Sequence, residues 1–279
     1  MMNRTFKASR GLTIIELLVA LVISSLLMAG MYRTFISQQK TYTVQEQVVD
    51  AQQGVRGALH MMMREIKMAG FGNVSMVLPV TLGGQTFNHV VNGDSPSVGS
   101  FTLIAALNEN AVLTATGGLG QNQVVVSRLA DSQGTSLFDT GERRYVSIGG
   151  VESHSIVSID PETRTITLDG SLIFNHAVGT PVFGIRALTF QAVVEDGVSS
   201  LERYENLGNG ELVVDHVENL QFGYLDADGN PAATPEEIRL VRVSLTVKTS
   251  QVDADLPGDG YRRRQIASNI HLRNMGLEP

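Results

Sequence analysis

Glu16 is the one charged side chain in a run of twenty residues, Leu12 to Met31, that otherwise lacks Lys, Arg, Asp, Asn and Pro. An α-helix of that length spans roughly 30 Å, the thickness of a bilayer's hydrocarbon core. A carboxylate at such a place is costly without a compensating cation, and it marks a functional site by default. Arg4, Lys7 and Arg10 stand just before the run, with no acid among them. By the positive-inside bias they hold the N-terminus in the cytoplasm and send the remainder outward.

Other residues are spaced for chemistry of a different kind. Asp226, Asp228, Asn230 and Glu237 fall at positions 1, 3, 5 and 12 of a calcium-loop pattern, which suits a hard cation wanting several oxygens. Position 6 is Pro231 where that pattern has glycine, and no helices flank it, so a solvated hairpin turn is the competing reading. Asp253, Asp255 and Asp259 make a second acidic loop. Asp139-Thr140-Gly141 resembles half of an aspartic-protease site, but that chemistry needs a second carboxylate from a matching motif, and the chain has none. It reads as a turn. His60, His89, His154, His176, His216 and His271 show no metal-ligand spacing, and neither a Gly-x-Ser-x-Gly elbow nor a phosphate-cradling glycine loop is present. Catalysis is therefore not expected. Arg262-Arg263-Arg264 is a basic cluster that alternation along an exposed strand explains as well as DNA contact would.

These residues need elements to hold them. Pro is absent until Pro79, and beyond Met31 apolar residues recur at Phe35, Tyr42, Val48, Val55, Leu59, Met62, Met63, Ile66 and Ala69. Those steps predict one amphipathic helix from Leu12 to Ala69, roughly 85–90 Å long, ending at Gly70 or Gly72. Two helices broken near Gly30 are the alternative. Gly54 and Gly57 mark close packing or a slight bend, and Met61-Met62-Met63 packs the helix against the head. Residues 78–100 read as loop, rich in Gly, Asn and Pro. From Phe101 onward short alternating runs separated by turn residues predict a β-rich body: 101–106, 124–129, 145–148, 155–159, 163–168, 181–183, 188–194, 212–214, 220–225, 238–248 and 265–272. The expected class is α+β, a long N-terminal transmembrane and spine helix followed by a β-rich globular head. No cysteine occurs among the 279 residues, which removes thiol chemistry, thiolate metal sites and disulfides together. The net charge of −7 gives no general attraction to nucleic acid, and none is expected as a partner.

Arg10-Gly11-Leu12-Thr13-Ile14-Ile15-Glu16-Leu17-Leu18-Val19-Ala20 resembles the processing site of type IV prepilins. That resemblance implies a leader of residues 1–11, cleavage between Gly11 and Leu12 by prepilin peptidase, and N-methylation of Leu12. Loss of Arg4, Lys7 and Arg10 takes the net charge from −7 to −10. It also implies that Glu16 pairs with the N-terminal amine of a neighbouring subunit, two charges that offset one another when helices pack with a stagger. A secretory signal would instead place small residues after its apolar run, not a glycine before it.

The segments 64–71, 217–226, 238–247 and 261–274 are similar to the PilW type of minor pilin, with the related J-type minor pseudopilins of type II secretion as the alternative. The implied layout is a leader 1–11, a spine helix 12–70 with its transmembrane part at 12–31, and a pilin-like head 71–279. The implied location is the inner membrane, with a periplasmic head, and then the pilus. Partners would be prepilin peptidase, the assembly machinery, the major pilin and other minor pilins, with lipid before assembly. No cofactor is implied beyond the calcium that some pilin-like heads hold in C-terminal loops. An adhesive head carried on the pilus is a reading from another class. The apolar helix lacks the proline that many major pilins have, which argues against a major-subunit role.

Overall fold

The structure, a computed structural model, describes residues 13–95, 97, 99–141 and 143–275. It is an α+β chain with one long apolar N-terminal helix, α1 (Ile14–Ile66), followed by a β-rich region. The chain divides into two compact units between Val49 and Asp50. In the first, α1 leaves its apolar side chains exposed, Ile14, Leu18, Leu21, Leu26 and Met31 among them. This helix is long and apolar enough to cross a membrane. No break occurs at Gly30.

In the second unit the helix becomes one-sided. Val55, Ala58, Leu59, Met62 and Ile66 are buried at steps of three and four, with Met62 and Ile66 fully enclosed. The helix ends at Ile66, four residues short of Gly70, and tightens into turns through Met68→Glu65 and Ala69→Ile66 amide bonds of 2.9 and 3.1 Å. Chain reversal comes at Gly72, with φ +93°. A Cβ there would sit 2.3 Å from Ala106 Cβ, so no other residue fits.

The strands are β1 (Val80–Leu82), β2 (Gln85–Phe87), β3 (Val91–Gly93), β4 (Phe101–Val112), β5 (Gln123–Val125), β6 (Tyr145–Ile148), β7 (Glu152–Asp160), β8 (Thr165–Leu168), β9 (Pro181–Glu195), β10 (Val198–Glu205), β11 (Glu211–Asp215), β12 (Val217–Leu225), β13 (Leu240–Lys248) and β14 (Arg263–His271). All pairings are antiparallel. The spine of the large sheet is β9. One edge of β9 pairs with β4, while the other takes β6 at Val182–Gly184 and then β10 at Leu188–Glu195. A separate sheet runs β12-β13-β14. Val241, Val243, Leu245 and Val247 alternate inward from β13 into the same apolar cluster as the helix stripe, Phe101 and Phe190. A second cluster, around Val126, Phe138, Ile148 and Ile166, lies under β5–β8.

Three expectations need correction. Residues 78–100 are not plain loop, because β1, β2 and β3 lie there. Gly83 and Gly84, both at positive φ, make the two-residue turn between β1 and β2, a hairpin signal hidden by the shortness of its strands. The runs 181–183 and 188–194 are one strand, β9. Its partner β10 is missing from the expected strands, although Asp196-Gly197, at φ +51° and +79°, is a hairpin turn of the same kind.

Candidate functional site

Gly11 and Leu12 lie outside the described residues. The described site begins at Thr13, where the backbone N–H and the hydroxyl both donate to Glu16 Oε2 at 2.9 Å. Glu16 N–H returns a bond to Thr13 Oγ1 at 3.3 Å. Thr at the helix entrance and Glu three residues on form a capping box, which satisfies amides that the first turn leaves without partners. The Thr-x-x-Glu spacing is readable in the sequence and would have fixed the helix start. Both of these donors fall on one oxygen of Glu16, on an exposed first turn.

The calcium-loop residues are spread over separate bonds. Asp226 Oδ1 accepts from the amides of Asp228 and Asn230 at 2.9 and 2.8 Å, so this carboxylate closes its own turn. Glu237 Oε2 accepts from the Ala233 amide at 3.0 Å. Among the described residues no group of three or more His, Asp or Glu side chains is placed to hold a metal ion. Asp139 behaves similarly, taking the amides of Gly141 and Arg143 at 2.7 and 2.8 Å.

The Arg262-Arg263-Arg264 cluster is not an open basic patch. Arg262 Nη2 meets Asp253 Oδ2 at 2.7 Å. Arg263 grips Glu218 with Nε and Nη2 at 2.6 and 2.7 Å and also bonds Asp259. The Arg263 guanidinium, with the Tyr261 amide, holds the Asp259 carboxyl down at about 2.

Spacing gave no hint of one buried constellation. Glu152 and His154 lie two apart on β7 and share its inner face. His176 arrives from the 171–180 loop, and both ring Nε2 atoms meet the Glu152 carboxylate, His154 at 3.1 Å. Only the fold brings His176 there.

A family model described as the prokaryotic N-terminal methylation motif matches residues 6–32, 27 of the chain's 279 residues. The motif supports a type IV pilin- or pseudopilin-like protein and implies processing by prepilin peptidase. No curated protein and no solved structure matches the chain.

Proposed function

We propose that this chain is a minor pilin of the PilW type, a non-enzymatic subunit that helps to start a type IV pilus near its tip. The carrying observation is a single acid, Glu16, on the first turn of a helix whose apolar surface is uncovered, inside the segment that matches the methylation motif. Before assembly the 12–31 stretch sits in the inner membrane with the β-rich region on the periplasmic side. Cleavage after Gly11 exposes the Leu12 amine, which is methylated. Glu16 then pairs with the amine of a neighbour and sets the stagger between subunits, while the apolar run supplies lateral packing.

Mass spectrometry of the protein recovered from membranes tests the first step. The expected N-terminus is N-methylated Leu12, and replacing Gly11 with a bulkier residue should leave the precursor uncut. A mature chain starting anywhere else overturns the assignment. Deleting the gene should abolish surface pili; loss of exoprotein secretion with pili intact would place the protein among minor pseudopilins instead.

A further inference from the structure

Glu152 has no exposed side-chain surface, yet nothing in the assembly chemistry uses it. Its carboxylate is surrounded by N–H donors. Oε2 takes the Ile173 amide at 2.7 Å and the His154 ring at 3.1 Å, while Oε1 takes the Phe174 amide at 3.2 Å and the His176 ring. An ionised carboxylate has about four acceptor positions, and here four donors fill them.

The two amides belong to the tip of the 171–180 loop, where Ile173 and Phe174 are 52% and 45% exposed. The loop is joined to its neighbour, 117–121, through reciprocal Gly117–His176 backbone bonds of 2.9 and 2.8 Å and a Leu119 amide to Asn175 Oδ1 bond of 2.9 Å. Leu119 and Val178 add further exposed apolar surface. Neither loop carries a Lys, Arg, Asp or Glu, and the turn at Gly149–Val151 carries none either. Among the described residues, the ionisable groups in contact at the site are Glu152 and His154 from β7, His176 from the loop itself, and Asp169, whose Oδ1 lies 3.8 Å from His154 Nδ1.

We infer that Glu152, braced by His154 and His176, is an acid-released latch. While ionised it fixes the 171–180 loop to β7 and presents the Ile173–Phe174 tip; when it takes a proton the tip is freed. A protonated carboxyl has fewer acceptor positions and brings a new O–H donor into a shell made of donors. Protonating an imidazole does not mimic this, since Nε2–H still donates and the added charge favours the ionised carboxylate. Once Glu152 is neutral, Asp169 still faces the His154 ring. Burial is the largest influence on this carboxyl and pushes it up, but the Ile173 amide, the two rings and the Phe174 amide together hold it below its ordinary value. The latch thus stays closed at neutrality and releases as pH falls below the usual carboxylate range.

Hydrogen exchange on the full-length protein in detergent micelles tests this, with rates corrected for intrinsic pH dependence. At neutral pH Glu152→Gln should speed exchange in a peptide covering 171–180 by about tenfold or more, with β13 unchanged, because the carboxamide turns an NH2 toward two donors. In the unmodified protein, acidification toward about pH 3 should release the loop before β13. Wild-type protection of the loop in Glu152→Gln overturns the latch. So does loss of loop and β13 protection at one pH, a measurement that decides the matter even if the variant does not fold.

Discussion

Thr13 and Glu16 show how one pair of residues can serve two states. In the lone chain Glu16 Oε2 is occupied by the Thr13 amide and hydroxyl, which start the helix and keep the acid from facing lipid without a donor. Thr13→Val keeps the side chain's shape but removes the hydroxyl, and should cost about 1 kcal/mol of helix stability, visible as fraying of the first turns by NMR in micelles. Glu16→Ala removes the acid altogether. It should leave membrane insertion intact by cell fractionation but depress incorporation into sheared filaments; unchanged incorporation would remove the pairing role. The spacing of these two residues is local, so the sequence carried it in full. Asp226 is the opposite case. Its spacing to Asp228, Asn230 and Glu237 was visible, but the folded loop commits its carboxylate to its own backbone.

At the scale of elements, α1 carries two glycines that the sequence treats alike and the structure separates. A Cβ at Gly54 would lie 2.8 Å from Val214 Cγ2, whereas nothing stands within 4 Å of one at Gly57. Gly54 lets the helix approach β11 closely, and Gly57 only adds backbone freedom. Gly57→Ala should therefore stabilise the protein by up to about 1 kcal/mol, seen as a higher Tm by circular dichroism. Gly54→Ala should give no such gain, since the Val214 methyl must move. Equal gains from both would remove the close-packing account. The strands divide in the same manner. β13 alternates so plainly that its period alone reveals it, while β1, β2 and β3 are three residues each, too short for a period to register.

Across the β-rich unit, long-range ionic contacts tie elements distant in sequence. Arg203 on β10 meets both oxygens of Glu65, at the end of α1, at 3.0 and 3.1 Å, and reaches Glu211 on β11 at 3.0 Å. Glu65 and Arg203 are mostly enclosed, with side-chain exposures of 12% and 15%. Burial pushes the Glu65 carboxyl up, and Arg203 opposes that shift. Arg203→Ala leaves the carboxylate without its strongest partner and should cost about 1.5–3 kcal/mol by urea unfolding. Since the folded protein would then favour protonated Glu65 still more, the deficit should be largest above the raised pKa and shrink as pH falls through it. A pH-independent deficit would locate the loss in packing.

The amino-acid order by itself determined the long helix, the lone acid of its apolar run, the β-rich character of the remainder and the absence of thiol chemistry, because helix period, strand alternation and composition are local properties. Tertiary structure alone decided that β9 would carry β4 and β6, that Arg263 would grip Glu218, and that His176 would meet Glu152. Those outcomes rest on pairings between residues far apart in the chain. Their free energy comes from burial and from the mutual satisfaction of polar groups, and no window of neighbouring residues contains both partners.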